Sequence, residues 1–140
     1  KQNPEESFRL IKLAIDKGDD EAMNILASRY LVGAGVEKNI EEAIRLFSIQ
    51  AKRNSPIGQT SLADCYINGV GVEKNIEEGI KLYTLAAQNG FSIAQLSLGN
   101  HLLRGYGVEK NTDEAIRLYK LASEQNLADA QVCLGSCYFL

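Results

Sequence analysis

The pentapeptide Gly-Val-Glu-Lys-Asn occurs at residues 35–39, 71–75 and 107–111, each copy starting 36 residues after the one before. Similarity spreads outward from it, as GVEKNIEEAIRLF (35–47), GVEKNIEEGIKLY (71–83) and GVEKNTDEAIRLY (107–119). A fixed period without insertions restricts the chain to stacked copies of one supersecondary unit. The register continues in both directions. Leu26, Leu62, Leu98 and Leu134 correspond, as do Ala27, Ala63, Gly99 and Gly135; Tyr30, Tyr66 and Tyr138 correspond with Leu102 as the exception. Glu5, Glu6 and Leu10 align with Glu41, Glu42 and Leu46. The chain accordingly divides into a half unit (1–17, second helix only), three units (18–53, 54–89, 90–125) and a partial unit (126–140, first helix only).

Each unit reads as two helices. The second has apolar residues mostly three or four apart, at Ala43, Ile44, Leu46, Phe47 and Ala51, the spacing of one helical face. Asn39, Asn75 and Asn111 are expected to cap it, with Glu42, Glu78 and Glu114 three positions on as in a capping box. Asn3, Pro4 and Glu6 repeat the signal in the half unit, with proline at the first helical position. The first helix runs from about Asp20 to Leu31, with Ala22, Leu26, Ala27 and Tyr30 on one face, and Ser55-Pro56 marks its start in the next unit. Gly33, Gly69 and Gly105 fall where a left-handed residue ends that helix, and Gly35, Gly71 and Gly107 let the chain turn back. Asn68-Gly69 would suggest a β-hairpin in another context. Here the flanking period is helical and x-Gly recurs in every copy, so a helix end is expected.

A lone 36-residue unit faces roughly 50 kcal/mol of ordering cost, at about 1.5 kcal/mol per residue. Two short helices bury too little apolar surface to offset it, and stacking lets each unit cover its neighbour's open face. The small residue at Ala27, Ala63, Gly99 and Gly135 is expected to admit close backbone approach, with the rings of Phe47, Tyr83 and Tyr119 wedged between pairs. A bulky side chain at Gly99 is expected to overpack the contact.

The pattern Ala-x3-Leu-Gly-x2-Tyr-x2-Gly-x-Gly-Val-x2-Asn-x3-Ala-x3-Tyr-x2-Ala-Ala resembles the Sel1-like repeat family, a relative of the tetratricopeptide repeats. It is carried best by Ala94, Leu98, Gly99, Gly105, Gly107, Val108, Asn111, Ala115, Tyr119 and Ala122. The departures are Gly58 and Gly79 in place of alanines, Leu102 in place of tyrosine, and Gln50 where Ala86 and Ala122 stand. Each of those glycines is expected to cost up to about 1 kcal/mol in a helix interior, which marks the second unit as a weak point. The resemblance implies an all-α, right-handed α-α superhelix with first helices on the concave side. It also implies adaptor or scaffold duty for protein complexes, the alternative being a structural or regulatory segment of a larger protein.

Composition narrows the function. The net charge is −3, and the 15 basic residues are scattered, whereas a nucleic-acid surface needs clustered Lys and Arg. The three cysteines, Cys65, Cys133 and Cys137, are an odd number, and Cys133 and Cys137 lie four apart on one expected helix, a poor geometry for a disulfide; reduced thiols and a cytoplasmic setting are expected. His101 is the single histidine, which excludes a His-pair metal site, and Cys133 with Cys137 falls short of four zinc ligands. The Gly-x-Gly loops lack the strand and the lysine of a phosphate loop, and the Glu-Glu pairs at 41–42 and 77–78 are explained by helix starts. No catalytic residue, metal or cofactor is expected.

The concave face remains. By analogy with tetratricopeptide packing, Asn24, Ser28, Thr60, Asp64, Asn100 and Arg104 are expected to line it. They differ between copies where the core repeats, as a binding groove for an extended or helical segment requires. The last helix finishes as Cys-Tyr-Phe-Leu without a polar cap, whereas terminal units usually need a polar outer face; the chain is therefore expected either to be cut from a longer array or to dock its end on a neighbouring copy.

Overall fold

The computed structural model describes residues 3–139, and within them the chain is entirely helical. Four helices are of the second type: α1 (Pro4–Asp16), α3 (Ile40–Lys52), α5 (Ile76–Gln88) and α7 (Thr112–Glu124). Between them lie the first-type helices α2 (Asp20–Val32), α4 (Pro56–Asn68), α6 (Ser92–Arg104) and α8 (Ala128–Cys137). Each helix packs on the next along the chain, so antiparallel pairs pile up as an α-α solenoid. Successive first helices also touch directly, α2 on α4 and α4 on α6, while successive second helices make no comparable contact. The first helices therefore form the more closely spaced row of the array.

Local chemistry sets the helix ends. Asn3, Asn39, Asn75 and Asn111 are extended N-caps whose side-chain oxygens accept from the N–H of Glu6, Glu42, Glu78 and Glu114, at 3.2, 3.0, 3.1 and 3.0 Å. The reciprocal half of a capping box is absent. Those glutamates instead pair with Arg9, Arg45, Lys81 and Arg117 one turn on. The backbone N–H of Asn39, Asn75 and Asn111 donates back to the carbonyls of Tyr30, Tyr66 and Leu102 at 2.8, 2.9 and 2.9 Å, which fastens each loop to the helix before it. Asp19 caps α2 through Ala22 N–H at 3.0 Å, whereas Ser55 holds the cap position of α4 without a side-chain bond.

The first helices end as expected, at Gly33, Gly69 and Gly105 with φ of 76°, 67° and 67°. The second glycine of each loop seats the loop on the preceding unit. A Cβ at Gly107, whose φ is 75°, would stand 2.0 Å from Ile76 Cγ2, closer than any real contact. Stacking is thus written into the turn as well as the helix faces.

The core is continuous along the array. One cluster, built on α2, α3 and α4, includes Met23, Leu26, Phe47 and Leu62. A second, running on through α7, includes Ile80, Tyr83, Leu98, Leu118 and Tyr119, and Leu82 packs against both. The departures noted in the second unit turn out to be matched to their neighbours. A Cβ on Gly58 would lie 2.1 Å from Gln50 Cβ, and one on Gly79 would lie 2.6 Å from Ile67 Cδ1. Gln50 is fully buried and its amide donates to the Asp20 carbonyl at 2.6 Å. The expected weak point is therefore revised: these glycines forgo helix propensity but admit the larger side chain opposite them.

Candidate functional site

The first helices place two kinds of residue at adjacent register positions. The small residue (Ala27, Ala63, Gly99) is buried under the ring of its own unit; a Cβ on Gly99 would stand 2.6 Å from Tyr119 Cε1. The next residue (Ser28, Asp64, Asn100) stands at the lip of that ring. Tyr83 donates its hydroxyl to Asp64, and Tyr119 donates to Asn100 Oδ1 at 2.7 Å. Phe47 has no hydroxyl to give, and Ser28 stays exposed.

Ser28 and Asp64 face the same depression between α2 and α4, about 220 Å³ in volume. Leu31, Phe47 and Val70 form its apolar wall, and Asn68 and Ser61 add polar groups. Of its lining residues only Asp64 carries a charge. Asp64 is exposed as a residue, yet its carboxyl is pushed above the ordinary aspartate range by partial burial, with the Tyr83 hydroxyl pulling it part of the way back. The Tyr83 phenol is raised well above its usual value, by burial first and by the Asp64 bond second.

The remaining expected groove residues are dispersed. Asn24 spends its amide on Ser61 Oγ, at 2.8 Å across the α2–α4 contact, so it ties two units together. Asn100 is half-buried by its bond from Tyr119, and the Cys133 thiol lies 3.9 Å from the same oxygen. Arg104 is exposed at the last turn of α6, away from the depression. Thr60 is a correction. It is only 5% exposed, and its hydroxyl donates to the Pro56 carbonyl at 2.8 Å. A threonine hydroxyl satisfied one turn back leaves only a methyl-sized surface, which the α3–α4 contact buries. Sequence reasoning missed Ser61, Phe47 and Val70 as lining residues. The usable signal was the cross-unit offset, since Asn24 meets a residue 37 positions on rather than 36.

The reactive side chains have structural employment. His101 Nδ1 lies 2.9 Å from the Tyr106 carbonyl; a carbonyl only accepts, so Nδ1 carries the proton. Its ring stacks on Tyr106 at 5.6 Å and tilts against Tyr83 at 5.8 Å, clamping the loop after α6. Burial pushes the Cys65 thiol up to about 11, so it stays protonated at neutral pH and is a poor nucleophile. Among the described residues no group of three or more His, Cys, Asp or Glu side chains is arranged to hold a metal ion, and no helix is long and apolar enough to cross a membrane.

The family profile described as Sel1 repeat matches residues 1–19, 20–55, 56–91 and 92–127. Among solved structures, the chain superposes on a Sel1 repeat protein from Oxalobacter formigenes with a TM-score of 0.79 at 35% identity, covering 92% of this chain and 97% of that one. It matches c5321, a protective antigen of uropathogenic Escherichia coli strains displaying an SLR fold, with a TM-score of 0.79 at 31% identity over 91% of this chain. The chain spans only 27% of the c5321 chain. Helicobacter pylori cysteine rich protein B gives a TM-score of 0.71 at 25% identity, covering 89% of this chain and 94% of that one. Among curated proteins, none matches.

Proposed function

Because the chain belongs to the Sel1 repeat family, whose members are generally non-catalytic scaffolds for protein interaction, we propose that it holds a segment of a partner protein along the inner face of its first helices, centred on the depression between α2 and α4. The observation that carries this reading is the contrast between neighbouring positions. Leu26, Leu62 and Leu98 repeat and are buried, while Ser28, Asp64 and Asn100, two positions on, change in every unit. Stacking requires the first set; of the second it asks only an acceptor where the ring is a tyrosine, which Asp64 and Asn100 meet with different side chains and Ser28 is spared, so the second set has latitude to specify a partner. A reducing, cytoplasmic setting belongs to the same reading, because Cys65 is a buried packing residue rather than half of a bridge.

A photo-crosslinking amino acid at Ser28 tests the reading against the same group at Leu85, an exposed position on α5. In cells that express the protein, position 28 is expected to give discrete crosslinked partners and position 85 none of them. Identical products from both positions would move the binding face elsewhere.

A further inference from the structure

We infer that the depression between α2 and α4 receives an arginine or lysine side chain of the bound segment, with Asp64 as its counter-ion; this deepens the scaffold reading and rests on it. Asp64 is the one charged residue in the lining, and among the described residues no lysine, arginine or histidine nitrogen lies within ion-pair distance of it. The Tyr83 hydroxyl fixes one carboxylate oxygen. An ionised carboxylate offers about four acceptor sites, so most of its capacity is oriented but unspent. Holding a partly desolvated carboxylate without a cation is costly, and an incoming cation removes that cost.

The rest of the lining suits the same guest. Asn68 Nδ2 donates to the Asp64 backbone carbonyl at 2.9 Å, which leaves the Asn68 side-chain oxygen as a further acceptor. Exposed Ser28 supplies another oxygen. A site rich in acceptors complements a head group that only donates, as guanidinium and ammonium do. Leu31, Phe47 and Val70 offer an apolar wall for the methylene stem that such side chains bury while the head stays polar. The volume of about 220 Å³ corresponds to roughly seven waters at ~30 Å³ each, the scale of one long side chain. The neighbouring lip positions carry serine and asparagine, so the carboxylate would fix one basic residue at one place along the array.

The protein supplies its own control. Asn100 already accepts from Tyr119 in the next unit, so Asp64→Asn keeps an acceptor for Tyr83 and removes only the charge. A phage-displayed library of random dodecapeptides is selected on the whole chain, on Asp64→Asn and on Ser28→Trp, which fills the depression from an exposed position. Peptides selected on the whole chain are expected to carry Arg or Lys at one fixed position. Asp64→Asn, with an unimpaired thermal midpoint, is expected to bind them about tenfold or more weakly and to lose the basic preference in its own selection. Selected peptides that Ser28→Trp excludes, but that show no basic preference or bind Asp64→Asn equally well, would overturn the cation site and leave the groove standing. If no selected peptide is excluded by Ser28→Trp, the groove reading fails and takes this inference with it.

Discussion

The Tyr119 hydroxyl donates to Asn100 Oδ1 at 2.7 Å, pairing residues 19 positions apart across one hairpin. The same pair recurs one unit earlier as Tyr83 and Asp64, and as Phe47 and Ser28 it loses the bond together with the hydroxyl. Burial pushes the Tyr119 phenol up to about 12, so it is a proton donor at any physiological pH. Tyr119→Phe is expected to cost about 0.5–1.5 kcal/mol. A double-mutant cycle with Asn100→Ala, read by urea unfolding, is expected to give a coupling energy of about 1 kcal/mol. Strict additivity would show that the bond contributes nothing.

Asp64 gives a stability that depends on pH. Its folded pKa is raised, so its favourable contribution is complete below the unfolded value of about 3.9 and is lost as pH rises through the folded value. Asp64→Asn keeps the acceptor and never ionises. It is expected to be more stable than the parent at pH 7 and equal to it near pH 3, in chemical denaturation at the two values. A variant less stable than the parent at pH 7 contradicts the assignment.

Gln59 is 1% exposed and its side-chain oxygen has no donor among the described residues. One unit on, Gln95 takes a hydrogen bond on the same oxygen from Gln125 at 3.1 Å. The register partner of Gln125 is Asn89, one methylene shorter. Asn89→Gln is expected to complete the missing bond and raise stability by about 1 kcal/mol. An unchanged midpoint in thermal unfolding would count against it.

Gly79 and Ile67 form a complementary pair, since a Cβ on the glycine would sit 2.6 Å from Ile67 Cδ1. Alanine at 79 alone is expected to destabilise by about 1–3 kcal/mol through overpacking, despite a gain of about 1 kcal/mol in helix propensity. In an Ile67→Ala background only the tight approach to the Ala63 carbonyl, at 3.1 Å, remains, and the cost of Gly79→Ala is expected to shrink to below about 1 kcal/mol as helix propensity offsets it. A cost that is equal in the two backgrounds would show that Ile67 is not what the glycine accommodates.

Gly99→Leu tests the ring seat directly. Tyr119 lies where the new side chain would begin, and the loss is expected at about 1–3 kcal/mol, with Tyr119 fluorescence altered in the folded state. Full retention of the unfolding midpoint would remove the ring from the packing scheme.

Helix identity, ends and order were legible in the chain because their causes act over a few residues. Asn39 caps a helix three residues away, Gly33 turns left-handed because its own backbone must, and apolar residues recur at helical spacing. The exact repeat then fixed which positions are small and which carry rings. The functional face was only half legible. Ser28 and Asp64 could be named from their variability, but Thr60 varies too and is buried.

What the tertiary structure decided is how positions meet between helices. Asn24 finds Ser61 37 residues on, and Asp64 finds Tyr83 at 19, offsets set by how hairpins lean on one another rather than by the period. Gly58 beside Gln50 and Gly79 beside Ile67 look like defects in a one-dimensional reading and become fits once the helices are packed. The physical reason is range: propensity and capping are local energies that a sequence displays, whereas close packing and the partial desolvation of one carboxylate depend on distances between backbones that only the assembled array fixes.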